Sequence, residues 1–376
     1  MVSKYLLKIS MTEKKSKYNH FKIALFFYHM LFVLTAYYYV INNGGDALKY
    51  WLKDIDLNAN HWFHFLSFGT DLILFLNYPL VKYFELPLLF GFFLYGVIGY
   101  FGILQFYGVS KKIVGENPVF KGLNLLQIFM FLPSLHFWTS ILGKDPIIFW
   151  GIAIFLNALI SKEKNLKLFL SLFLIVLIRP HVALFLIICF LVPYFIFKFK
   201  EINNPFRYVF FTALATAFST VFLLSISQIE NLDYDKAIRF NDHSLKSLEY
   251  SNSYIPMKSY SYPEKIFAIN FRPLFFDVHN YWGIFVSIEN IFLLSLYLAF
   301  LFLIVFKFSK IKWNLFMFLI IFYNLLSSVI YVKRYSDLGL LIRTKNMFQP
   351  FMVLIIISVF TQFIVNNKLK NETEAY

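Results

Sequence analysis

The residues best placed to do chemistry are few. Asp46 lies in Asn42-Asn43-Gly44-Gly45-Asp46-Ala47-Leu48-Lys49-Tyr50-Trp51, the first polar break after the first long apolar run. A carboxylate in such a loop can accept a hydroxyl proton as a general base. Asp is also a preferred N-cap, here for a short helix from Ala47. A second acid, Asp145, closes His136-Phe137-Trp138-Thr139-Ser140-Ile141-Leu142-Gly143-Lys144-Asp145-Pro146 at the head of another apolar run. An N-cap with proline at the first helical position reads equally well there. The cations are Arg179, in Arg179-Pro180-His181 between two apolar segments, and Arg343 and Lys345 in the last polar loop. Arginine at membrane depth is usually paired or faces a water-filled cavity, and its planar fork suits phosphate. Glu289 stands inside an apolar run and is a candidate for organising Arg179 or an acceptor. His61 and His64, three apart, could hold a metal together on one helix face.

These residues are set in an oily chain. Of 376 residues, 59% are hydrophobic, 22% aromatic and 15% charged, and the mean hydropathy is +0.63. A soluble globule of this length is far less apolar, so the expected class is a polytopic membrane protein. The net charge of +14 comes from short Lys and Arg clusters between apolar runs rather than from one basic domain. It points to topology and to anionic lipid or phosphate, not to nucleic acid. The single Cys189 allows no intrachain disulfide and no cysteine zinc cluster.

The expected fold is all-α, a transmembrane bundle of about ten helices forming a single domain over 1–376. Its spans are placed at 22–41, 86–109, 119–138, 145–160, 166–179, 181–198, 207–227, 282–306, 314–332 and 350–366. Residues 1–21 and 367–376 are expected to be cytoplasmic tails. Lys111-Lys112, Lys162 to Lys167, Lys198 to Arg207, Lys307 to Lys312 and Lys368 to Lys370 then face the cytoplasm, as the positive-inside rule requires. The outward side carries 42–85, 136–146, 179–181, the long loop 228–281 and 333–349. The first of these, rich in aromatic residues and holding His61, His64 and Asp71, reads as containing an amphipathic helix in the interface. Asp46, His61, His64, Asp71, His136, Lys144, Asp145, Arg179, His181, Arg272, Asp277, His279, Lys333, Arg334, Arg343 and Lys345 all fall on this side. That segregation is the strongest functional signal in the chain. The Tyr-rich long loop is expected to cover the cavity.

The opening resembles the integral-membrane glycosyltransferases of the GT-C superfamily, in the mannosyltransferase- and arabinosyltransferase-like branch. Asp46 with Tyr50 in the first outward loop, a following interfacial helix and Tyr78-Pro79 carry the resemblance, with Asp145 similar to the superfamily's second acidic position. Where many members have Asp-Glu and Pro-Pro, this chain has Asp46-Ala47 and Pro79 alone. The resemblance implies transfer of a sugar from a polyprenyl-phosphate donor to a glycan or lipid acceptor on the outer face of the cytoplasmic membrane, in cell-envelope glycan synthesis. Asp46 would be the base, and Asp145 would orient the acceptor or share a divalent ion, Mg or Mn, with Asp46. Arg179, Arg343 and Lys345 would hold the donor phosphate; Tyr50, His181 and Glu289 would position substrate.

Two rivals stand beside it. Wzy-type polysaccharide polymerases and O-antigen ligases also join lipid-linked glycans with loop arginines. A flippase of lipid-linked glycans would need polar residues along both halves of a pathway, and the inward halves of the spans carry almost none. No Walker loop, dinucleotide fingerprint, HExxH pair or Gly-x-Ser-x-Gly elbow is present, so ATP-driven, hydride, zinc-protease and serine-hydrolase chemistries lack sequence support.

Overall fold

A computed structural model of the chain describes residues 2–51, 61–115, 119–120, 123–161, 165–191, 193, 213, 243, 245–278 and 280–374. Among these the architecture is helical apart from one short antiparallel pair, β1 (Val119–Phe120) and β2 (Leu123–Asn124). The first helix, α1 (Val2–Asn43), ends at Gly44-Gly45, and α2 (Asp46–Trp51) starts at once. Next come α3 (Thr70–Tyr78), α4 (Leu88–Val114), α5 (Leu125–Phe129), α6 (Pro133–Ser140), α7 (Lys144–Ser161), α8 (Asn165–Ile178) and α9 (Pro180–Leu186). The C-terminal half holds α10 (Tyr262–Phe271), α11 (Tyr281–Lys307), α12 (Leu315–Tyr331), α13 (Leu338–Lys345) and α14 (Gln349–Glu374).

Among the described residues, four helical stretches are long and apolar enough to cross a membrane: Asn19–Asn43, Leu88–Val114, Lys144–Ser161 and Tyr281–Lys310. A fifth arises if α13 and the apolar part of α14, bent by 55° at their junction, are taken together. These helices fit a multi-pass membrane protein. Their number differs from the expected ten or so for physical reasons. The span placed at 119–138 is broken by the β pair, by a turn at Met130-Phe131 and by Pro133, which opens α6 with no amide to donate. Arg179-Pro180 separates α8 from α9, and at 14 residues α8 spans about 21 Å, short of a hydrocarbon core. Most of 181–198 beyond Leu191, and nearly all of 207–227, lie outside the described residues. In the first loop, where an interfacial helix is expected, the described residues form a 3-10 turn (Trp62–Phe65), then α3, then a wide helical turn at Pro79–Tyr83.

Packing partners set the positions of these helices. Helices α1, α4, α6 and α7 form the packed centre, with α4 lying along α7 and α14. Where α4 meets α6, a Cβ on Gly99 would fall 1.8 Å from the carbonyl oxygen of Thr139, so only glycine permits that approach. By contrast α11 turns Phe285, Ile288, Phe292, Leu298, Phe302 and Phe306 outward, as a helix solvated by lipid does. Helix starts carry the expected signals: the side chains of Asn124, Asn280, Asn314 and Asp337 accept amides in the first turns of α5, α11, α12 and α13.

Replacing Gly99 by Leu should push α4 off α6. Overpacking of this kind costs about 1–3 kcal/mol or more, so thermal unfolding in detergent should show a clearly lowered Tm, whereas Gly108→Leu, at a position with open space, should not.

Candidate active site

Three segments distant in sequence converge on one acid–base cluster. The Gly44-Gly45 break places Asp46 in the first turn of α2; the turn at 141–143 places Lys144 and Asp145 in the first turn of α7; and α13 carries Arg343. Gly143 adopts φ +142° with the Tyr50 ring 2.9 Å from where a Cβ would stand, so the turn into α7 closes directly on α2. The break before Pro180 adds Arg179, in the residue preceding α9.

Arg343 donates from Nη1 to Asp46 Oδ2 at 3.0 Å and from Nε to Asp145 Oδ2 at 2.7 Å. Arg179 Nη2 donates to the other oxygen, Asp145 Oδ1, at 2.6 Å, and its Nη1 reaches Met347 Sδ at 3.1 Å. Asp145 is therefore a buried carboxylate bridging two guanidiniums, while Asp46 hangs on the outer edge of Arg343. The capping role open to both acids in the sequence is thus replaced by arginine pairing. Lys144 Nζ donates to Thr70 Oγ1 at 2.7 Å, so it lies beside the cluster with a hydroxyl for a partner. The five charged groups sum to three cations against two carboxylates, an excess of one positive charge.

The neighbouring side chains are fixed by buried polar contacts. Tyr50 is buried; its backbone carbonyl accepts from Asn77 Nδ2 at 3.1 Å, and Asn77 Oδ1 accepts from the Tyr95 hydroxyl at 2.9 Å, tying α2 to α3 and α4. Burial, reinforced by the Asp46 charge, pushes the Tyr50 hydroxyl above its ordinary value. For Asp46, burial works to raise the carboxyl, but the Arg343 hydrogen bond and the charges of Arg343, Lys49 and Lys144 outweigh it and hold the group below the ordinary aspartate range. The long loop braces α13 from outside: Ser251 and Ser253 hydroxyls donate to Asp337, Leu338 N donates to Ser253 O at 2.9 Å, and Ile255 N to Ser336 O at 2.8 Å.

Asp46, Asp145, Arg179, Arg343 and Tyr50 are thus brought together. Lys345 is not. Two residues along α13 is roughly 200° of rotation, and Lys345 is buried on the other face. There its ammonium donates to Asn270 O at 3.2 Å and to the Asn290 side chain. Glu289 belongs with Lys345 rather than with Arg179: its Oε2 accepts the Ser134 amide in the first turn of α6 at 2.8 Å, where a helix N-terminus favours negative charge. A small cavity between Leu135, Leu293 and Ile342 has both groups on its wall. His181, partly buried, sets its ring edge-on against Phe185 and Tyr331.

His136, on α6, is fully buried against α1. His61 precedes the 3-10 turn and His64 lies within it, both exposed. No group of three or more His, Cys, Asp or Glu side chains comes together among the described residues. Between Asp46 and Asp145, where a shared divalent ion is one of the two expectations, lies the Arg343 guanidinium, hydrogen-bonded to both carboxylates. Arg272 and Asp277 pair with each other in the long loop, and His279 lies outside the described residues. Sequence reading passed over Thr70, Asn77 and Lys144 as site residues. Lys144 adjoins Asp145 in the outward set, and Asn77 is a polar interruption in an apolar run, so both left a signal.

Comparison of the chain with protein-family models, with curated proteins and with solved structures finds no match. The functional reading therefore rests on the residues themselves.

Magnitudes separate the two acids. Removing one partner of a buried ion pair costs about 3–5 kcal/mol because the other charge is left uncompensated. A pair whose acid is 45% exposed contributes up to about 1 kcal/mol. Asp145→Asn should therefore lower Tm severely and Asp46→Asn slightly. A carboxylate depressed in the fold adds stability that is complete above its unfolded value, about 3.9, and is lost as pH falls through the folded one. The small gap between wild type and Asp46→Asn should accordingly close on acidification below about pH 4; a gap that widens there would contradict the pairing.

Proposed function

We propose that this chain is a membrane glycosyltransferase that moves a sugar from a polyprenyl-phosphate donor to an acceptor hydroxyl. The observation carrying the reading is the convergence of Asp46, Lys144, Asp145, Arg179 and Arg343, from four places in the sequence, into one charged cluster with an excess of one positive charge. Such a cluster suits a phosphate leaving group, since guanidiniums offer paired donors in a plane. The apolar surface of the helices beside it suits the polyprenyl tail.

In this reading the donor phosphate competes with Asp46 and Asp145 for the Arg343 and Arg179 donors, with Lys144 free to turn from Thr70 toward it. Asp46, released from Arg343, loses the contact that depresses its basicity and becomes a competent base. The acceptor oxygen then bonds to the anomeric carbon as the bond from that carbon to the phosphate oxygen breaks; the hydroxyl proton passes to Asp46, and the electron pair leaves with the polyprenyl phosphate, whose charge the cations offset. Asp145 holds the two arginines in register and acts as a positioning residue. Attack opposite the leaving phosphate inverts the anomeric centre. We place the reaction on the outer face of the cytoplasmic membrane, with both termini inside, in cell-envelope glycan synthesis.

Membranes bearing wild type should convert a polyprenyl-phosphate-linked sugar to glycosylated product, and Asp46→Asn should lower the rate at least a hundredfold, the range general-base removal commonly produces, with expression and Tm almost unchanged. Retained activity in Asp46→Asn, with loss in Arg343→Gln, would instead favour a polymerase or ligase that works through loop arginines.

A further inference from the structure

His29 on α1 and His136 on α6 are completely buried and take no part in the cluster described above. Their ring nitrogens make three short contacts. His29 Nε2 lies 2.9 Å from the carbonyl oxygen of Gly96, His136 Nε2 lies 2.7 Å from the carbonyl oxygen of Met130, and the two Nδ1 atoms face each other at 3.0 Å. A carbonyl oxygen only accepts, so each Nε2 must carry its hydrogen. Two neutral imidazoles own one N–H apiece, and both are then spent on the carbonyls. The Nδ1 contact would be lone pair against lone pair; moving a hydrogen there merely transfers the repulsion to a carbonyl.

We propose that His29 and His136 form a buried proton-binding site: the pair takes one proton from solution, holds it between the two Nδ1 atoms, and carries a single positive charge. Three N–H hydrogens then satisfy all three contacts. An isolated charge in an apolar interior is costly, and the surroundings offset this. Both outer nitrogens are on carbonyl dipoles. Tyr28, from α1, sets its ring edge-on to His136 at 4.8 Å, and Tyr100, from α4, lies 6.1 Å from the His29 ring. Ser140 Oγ, on α6, is 3.4 Å from His29 Nε2. From α11 the Glu289 carboxylate sits at the first turn of α6, and Lys345 of α13 lines the same small cavity. The proton joins the two arms of the charged cluster, because α1 leads into Asp46 and α6 leads through Gly143 into Asp145.

The test is nitrogen NMR of the full chain in detergent micelles with 15N-labelled histidine near neutral pH, the signals being assigned with His29→Gln and His136→Gln. Wild type should show both Nε2 protonated and a third hydrogen shared by the two Nδ1 atoms, seen as direct coupling between them. His29→Gln keeps a donor for Gly96 O but offers nothing at the δ position, so His136 should revert to the neutral pattern with a bare Nδ1; His136→Gln should produce the mirror result in His29. Two bare Nδ1 signals in wild type would overturn the proposal. So would Nδ1 signals that move on adding zinc and return with a chelator, since a metal ion would then be the occupant.

Discussion

One carboxylate sets the geometry of the candidate site. Asp145 is buried and gives one oxygen to each of two guanidiniums, Arg179 and Arg343. In a low-dielectric interior such a group is tolerable only while both partners remain, because either half alone is an uncompensated charge. The constraint reaches outward: α7, the Arg179-Pro180 break and α13 must all present their ends at the same point, and Asp46 on α2 then meets the remaining face of Arg343. The serines of the long loop that hold Asp337, and hence the start of α13, serve the same constraint.

Much of this was legible in the sequence because charged residues in an oily chain are conspicuous. Asp46, Asp145, Arg179 and Arg343 each stand out among apolar runs, and the structure brings the four into direct contact. Lys345 shows where such reading stops. It sits two residues from Arg343, and only the helical path of α13 reveals that the two side chains leave from opposite faces. Glu289 was likewise visible as an anomaly, while its partner, the Ser134 amide, is a backbone group with no signature of its own.

The fold was legible by class and less so by count. Hydropathy finds apolar runs but weighs poorly the breaks inside them: Pro133 and the short β pair divide 119–138, and Pro180 divides the following run. Nor does a window of hydropathy distinguish α11, which turns phenylalanines outward, from α4, whose Gly99 admits α6. His29 gave no warning at all, since one histidine in a long apolar helix usually reads as packing until its partner, His136, is seen 3.0 Å away.

The central claim is that the cluster grips a lipid phosphate through the planar forks of its arginines. Its most direct measurement is calorimetric titration of a polyprenyl monophosphate into wild type and Arg343→Lys, a change that keeps the charge and loses the fork. The account predicts binding to wild type and affinity weaker by roughly tenfold, about 1.4 kcal/mol, in the variant. Absence of binding to wild type, or equal affinity in the two proteins, would contradict it.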